Sequence, residues 1–438
     1  MVYAGRYTSL GTEMADETFK CLPFTPFDQV MPRVYVRLCF GFAFPRPSER
    51  AHATAALRAT SQRMLEKCPV AAATIAPCLG DDGEDHGFLQ LRYAVSPPED
   101  LCFVVKHHTT ADLPWTYEQL TASGAPPAAV VKENLSSLSE HPRPSESSPA
   151  FGLQVNFLSA HREGVVKRLL EGVYSAPRLE ISDFPEYDFS SNDPTPLPNP
   201  ATARILTFQA TKLKQLKAAV TARLSALGFQ HHISTADCLG GLIWTSIARA
   251  RQPRLSNDAI LSYAIAVDIR SKTEPPLPPS YFGNAVVHAL AVADLAELVT
   301  PSGPAIDMDT IALAASRIRT ALESVDDAYV HKRLALYAQV SDPTVIVQAF
   351  KRAIDMPNTG LDFSDWREQG ADIEFSCEAN WVRKTWSANE GAVNFLPRRG
   401  GREGQADSEV LLALSGEDMD AVCSAAGGLV AWVSRVVG

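Results

Sequence analysis

Along residues 33–44 (RVYVRLCFGFAF) apolar and polar positions alternate, and the apolar ones are mostly β-branched or aromatic, the pattern of a half-buried strand. Residues 48–67 carry helix-forming residues behind a serine suited to cap them, so the chain opens with a strand and then a helix. Residues 89–95, 101–105 and 153–158 read as further short strands, and 125–149, rich in Pro, Ser and Glu, reads as loop. Over 177–200 prolines are mixed with Asp, Ser and Asn, a composition that suits neither a helix nor a sheet interior. The crossover between two domains is expected there, with residues 1–185 as the first domain, 186–199 as linker and 200–438 as the second.

Beyond the linker the α/β pattern restarts with a strand over 203–210 and a helix whose apolar face is Leu213, Leu216, Val220 and Leu224. A second helix is capped by Ser234 or Thr235 and turns Leu239, Leu242, Ile243 and Ile247 inward. Gly240 and Gly241 inside it cost helix stability unless a neighbour packs closely against them. Strands over 260–268, 285–292 and 410–414, a helix over 307–336 and a final helix over 418–437 complete the pattern, with no short-period repeat.

At 438 residues and 46% hydrophobic content the chain can fill two cores, since a single core stops growing at roughly 250–300 residues. The net charge of -10 is spread without long blocks and supplies no electrostatic footprint for nucleic acid or an anionic membrane, so a small molecule is the expected partner. Eight cysteines lie far apart without C-x-x-C spacing, which suggests neither a zinc site nor a disulfide framework. Arg6, Glu13, Asp16 and Glu17 stand where a signal peptide needs an apolar run, and no run long enough to span a bilayer occurs. A soluble, cytoplasmic protein is expected.

Five segments sharpen this picture: PFDQVMPRVYV (26–36), STADCLGGLIWTSIARAR (234–251), VDIRSKTEPPLPPSYFGN (267–284), VNFLPRR (393–399) and EVLLALSGEDMD (409–420). Their content and order resemble those of BAHD-type acyltransferases, in particular the fungal trichothecene 3-O-acetyltransferase-like branch. The resemblance implies an α/β fold of two similar chloramphenicol-acetyltransferase-like domains, each a mixed sheet flanked by helices, and a monomer. It also implies an interdomain channel where acyl-CoA and an acceptor meet the histidine of an HHxxxDG block. A DFGWG segment is the family's second mark.

The histidine block is altered. After FGLQVNFL (151–158) the chain reads SAHREGVVKRLLEGVY, with His161 as its one histidine and Val165 where an HxxxD pattern needs Asp. His108 and Asp112 spell HxxxD literally but lie in a segment that resembles a family loop, and His232 and Asp237 are five apart in a helix-capping region. Asp362 to Trp366 (DFSDW) imitates DFGWG, yet its distance to Leu396 and Pro397 is too long; the equivalent by spacing is 372–378, which includes Glu374 and Ser376. By the resemblance Arg270 has lost the aspartate it would pair with, so it must face solvent, find another carboxylate such as Asp372 or Glu374, or bind an anionic group.

The reading favoured by these departures is a natural-product enzyme that keeps the channel, has abandoned acyl transfer, and folds a small hydrophobic substrate toward cyclisation or a pericyclic, Diels-Alder-type reaction without a cofactor. His161, Arg270 and Glu374 are then the catalytic candidates, and Tyr281, Asn284, Trp366 and Trp381 the substrate-binding ones. The alternative is a CoA-dependent O-acyltransferase that takes acyl-CoA as co-substrate and His161 as general base, with Arg398, Arg399 and Arg402 available to CoA phosphates. A third possibility is a ligand-binding protein without catalysis.

Overall fold

The computed structural model describes residues 19–31, 35–44, 47–79, 85–94, 103–109, 112–130, 135–138, 148–158, 184–191, 201–277, 281, 283–299, 307–340, 342–356, 358–370, 378–384, 389–398, 406–424 and 428–438. The chain enters through strand β1 (Phe19–Pro23) and the short helix α1 (Pro26–Gln29). Thr25 starts α1 by a reciprocal cap: its side chain accepts from the Asp28 N–H, and the Asp28 carboxylate accepts from the Thr25 N–H. There follow β2 (Leu38–Phe42), α2 (Pro47–Lys67), β3 (Thr74–Leu79), β4 (Asp85–Ala94), β5 (Phe103–His107), α3 (Tyr117–Ser123), α4 (Pro127–Val130), β6 (Ser148–Pro149) and β7 (Leu153–Phe157). β1, β4, β3 and β6 form an antiparallel sheet in that order, and β5 pairs with β7 in parallel.

The second half begins with β8 (Thr202–Phe208), α5 (Ala210–Ala226), α6 (Thr235–Arg251), β9 (Ile260–Asp268), β10 (Val286–Asp294), α7 (Leu295–Leu298), α8 (Met308–Glu323), α9 (Asp327–Tyr337) and α10 (Thr344–Ile354). It ends with β11 (Gly360–Asp365), β12 (Ala379–Lys384), β13 (Ala392–Phe395), β14 (Ser408–Leu414), α11 (Gly416–Ser424) and β15 (Val433–Val437). A seven-stranded mixed sheet runs β10-β9-β11-β13-β14-β8-β15, with β11 parallel to both neighbours and the other pairs antiparallel. One face of it is sealed by α5 through Leu213, Leu216, Val220 and Leu224, the predicted stripe, and by α6 and α8.

Gly240 and Gly241 sit in α6 because α8 leaves no room for a larger residue. A Cβ on Gly241 would lie 2.8 Å from the Ile311 carbonyl oxygen and 2.9 Å from the Ala315 nitrogen, both backbone atoms that cannot rotate away. Gly241→Ala should therefore destabilise the protein by about 1–3 kcal/mol, despite the helix propensity gained, and a thermal melt would read it. An unchanged or raised Tm would mean that α8 shifts freely.

Two segments differ from the sequence expectation. The helix expected over 307–336 is broken after Glu323, and Asp326 starts α9 by accepting from the Tyr329 N–H. The expected final helix stops at Ser424, and Val433–Val437 is instead an edge strand against β8. Gly427 and Gly428 interrupt the helical pattern, and the valines that follow favour a pleated edge.

The halves are tied together by β12, which leaves the large sheet and pairs antiparallel with β2. From β12 the buried Arg383 donates to both Glu409 carboxylate oxygens on β14 at 2.6 and 2.9 Å and to the Gly124 carbonyl beyond α3 at 2.8 Å. Such forked donation suits a guanidinium better than an ammonium. Among the described residues no helix is long and apolar enough to cross a membrane.

Candidate functional site

Alternation along the strands of the large sheet separates two faces. Leu361 and Phe363 of β11, Val287 and Ala289 of β10, Tyr263 and Ile265 of β9, and Val393 and Phe395 of β13 belong to the core beneath the helices. The opposite positions include the small or polar Ala264, Ala266, His288, Asp362, Ser364 and Asn394, with Val286 and Leu290 flanking His288 on β10. Lys384 reaches this second face from β12, its ammonium 3.5 Å from the Asn394 amide oxygen. A carboxylate between two core residues of a central parallel strand, in line with a histidine, is not what packing alone selects.

His288 Nε2 and Asp362 Oδ1 lie 4.0 Å apart, close enough for charge interaction and too far for a hydrogen bond. Their side chains keep 26% and 33% of their surface accessible, yet desolvation is the strongest influence on both, lowering the imidazole pKa and raising that of the carboxyl. Partial accessibility together with strong desolvation places the pair at the boundary between the protein interior and solvent. His288 and then Lys384 partly offset the carboxyl shift, and Asp362 and then Glu186 partly offset that of the imidazole.

The imidazole is held from behind. Its ring lies 4.3 Å, centroid to centroid, from Phe350 of α10, and its backbone carbonyl accepts from the Tyr329 hydroxyl at 2.6 Å. Tyr329 in turn is covered by the Arg333 guanidinium, 3.3 Å from the ring centre, which makes a two-pronged pair with Glu186 at 2.8 and 2.9 Å. Tyr187 and Tyr337 close the cluster through a 2.6 Å hydroxyl contact.

A raised carboxyl pKa means that the ionised form opposes folding. Asp362→Asn is therefore expected to raise the Tm at pH values above the elevated folded-state pKa, where wild-type Asp362 is charged. As the pH falls through the elevated folded-state value the wild type takes up a proton and the gap narrows, closing below the ordinary 3.8. Thermal melts across pH test this; a variant less stable than wild type at high pH would show that the carboxylate is a stabilising partner.

The residues singled out in the sequence are spread over several places. His161 and Glu374 lie outside the described residues. Arg270 finds a carboxylate two residues back in Asp268, at 3.0 Å, donates to the Gly283 carbonyl, and lies 5.9 Å from the centre of the Tyr281 ring. Asn284 spends its donors on α1: the side-chain amide donates to the Phe27 carbonyl and the backbone N–H to Asp28, each at 3.0 Å. Two of the family-like segments thus dock on each other. Trp366 follows β11 and donates its backbone N–H to Phe395, while Trp381 is buried over Gly41 with its indole N–H donating to Thr121.

The literal HxxxD at His108 is no dyad: His108 is buried against the Asn156 side-chain oxygen at 2.7 Å, and Asp112 accepts from Thr109. Asp237 completes the α6 cap with Ser234 and pairs with Arg319, as the capping reading of that segment requires. Reasoning from the sequence passed over His288, and it met Asp362 only as part of a false DFGWG. The usable signal was the alternation itself, which turns both side chains away from the helix-covered core.

The model of the transferase family matches residues 161–426. The chain belongs to the transferase family. It is 29% identical over 258 residues to a hydroxycinnamoyltransferase of Narcissus pseudonarcissus, an alignment that spans 56% of this chain and only 52% of that relative. With the O-acetyltransferase cpsE of Aspergillus campestris it shares 23% identity across 92% of this chain and 94% of the relative. The structure of F. graminearum TRI101 complexed with coenzyme A and T-2 mycotoxin matches with a TM-score of 0.76 at 19% identity, covering 96% of this chain and 100% of that one. The transferase fold here is accordingly the two-domain, chloramphenicol-acetyltransferase-like α/β arrangement of the BAHD type, with mixed sheets.

Membership in the transferase family overturns the expected loss of acyl transfer and the cyclisation or pericyclic activity built on it. That expectation weighed one altered local block above the rest of the chain. The matched region begins at His161, and the two curated relatives named above are a hydroxycinnamoyltransferase and an O-acetyltransferase.

Proposed function

We propose that the protein is a CoA-dependent O-acyltransferase acting on a hydroxyl of a small hydrophobic acceptor, with His161 as general base. One observation carries the proposal: the transferase-family match runs from His161 to residue 426, through the β10, β11 and β13 strands that bear the polar face. In this reading residues 1–185 and 200–438 are the two domains, 186–199 joins them, and the channel between them brings acyl-CoA and acceptor together. Arg270, Tyr281, Asn284, Trp366 and Trp381 are then positioning residues around the channel, and Glu374 remains a candidate acid or base.

The step balances without a cofactor. The acceptor oxygen attacks the thioester carbonyl as its proton passes to the His161 imidazole; the C–S bond then breaks, and the imidazolium returns the proton to the departing thiolate, giving an ester and free CoA. Incubation with acetyl-CoA or a hydroxycinnamoyl-CoA and a panel of hydrophobic alcohols should yield ester and free thiol in equal amounts. Absence of both with every donor, under conditions where the chain is folded, would overturn the proposal.

A further inference from the structure

His288 and Asp362 remain unused by that chemistry. Among the described residues neither side chain makes a hydrogen bond, and of their polar atoms only Asp362 Oδ1 is both enclosed and unbonded. Both side chains nonetheless keep part of their surface accessible, 26% for His288 and 33% for Asp362, beside Ala264 and Ala266, the small residues that β9 sets opposite them. A desolvated carboxylate with no partner is costly in a resting protein, and a wall built this way awaits a donor from outside.

We infer that His288 and Asp362 form an acceptor-recognition subsite, which binds a second hydroxyl of a polyhydroxylated hydrophobic acceptor beside the hydroxyl that is acylated. The inference rests on the acyltransferase reading for its place in a reaction, though binding at the pair can be measured without turnover. A hydroxyl suits the pair because it donates to the carboxylate while exchanging a hydrogen bond with a neutral imidazole. A carboxylated ligand is repelled by Asp362. An ammonium would add a second positive charge near Lys384, whose charge already acts on Asp362, in a desolvated place. Among the described residues Lys384, Asn394 and Ser364 share this face with the pair, and the charge of Glu186 acts on His288.

The test follows the imidazole NMR signal of His288 in the full chain, assigned by its disappearance in His288→Gln, during titration with a vicinal cyclohexanediol, cyclohexanol or cyclohexylamine. The diol should shift the signal saturably at a concentration about tenfold or more below that needed with cyclohexanol, and Asp362→Ala should remove most of that preference. Equal responses to diol and cyclohexanol, no response to either, or tighter binding of the amine would overturn the inference. If Asp362→Ala does not fold, the diol-to-cyclohexanol ratio on the unaltered chain still decides. Ester formation is assayed separately, so selective diol binding without acyl transfer would sink the proposed function and leave the subsite standing, and acyl transfer without selective binding would do the reverse.

Discussion

His161→Ala is expected to lower ester formation from acyl-CoA by about 10²–10⁴-fold, the usual contribution of a positioned general base. Removing the imidazole leaves the acceptor hydroxyl to lose its proton to water, while CoA binding and the channel walls stay in place. The loss should therefore fall on kcat, with the KM for acyl-CoA little changed. His108→Ala should not imitate it in kcat, because that imidazole is committed to Asn156 and contributes to the packing of β5 on β7. A His161→Ala enzyme with wild-type kcat would show that proton removal happens elsewhere.

The largest expected loss of stability comes from Arg333→Ala, at about 3–5 kcal/mol. Arg333 and Glu186 are both almost fully buried, and truncating one leaves the other charged without compensation. The consequence reaches the site, since Arg333 covers Tyr329, and Tyr329 holds the carbonyl of His288. The double variant Glu186→Leu with Arg333→Met should recover most of the lost Tm, because replacing both charges by apolar groups removes the orphan. If the double variant melts no higher than Arg333→Ala, the pair serves some purpose beyond mutual neutralisation.

How much of this was legible in the sequence depended on what each signal needed. Periodicity placed β9 at its observed residues and gave the buried stripe of α5, because both patterns are local. The Gly240-Gly241 pair announced a close helix contact, and α8 provides it. β15 escaped because a valine-rich tail after a helix reads as more helix until a partner strand, β8, is known. Arg270 escaped in a similar way: its family partner was sought far away, and the carboxylate it uses is Asp268 in its own turn. His288 and Asp362 are 74 positions apart in the numbering and come together only because β10 and β11 both flank β9. No spacing rule reveals such a pair. The altered block around His161 misled most, since it reads as lost chemistry when the surrounding chain still belongs to the transferase family.

The most direct measurement is side-by-side quantification of free CoA and ester from acyl-CoA and a hydrophobic alcohol, with wild-type protein and His161→Ala. The account requires equal molar amounts of both products with wild type and a loss of about 10²–10⁴-fold in the variant. Free CoA without ester, or equal product from both proteins, would contradict it.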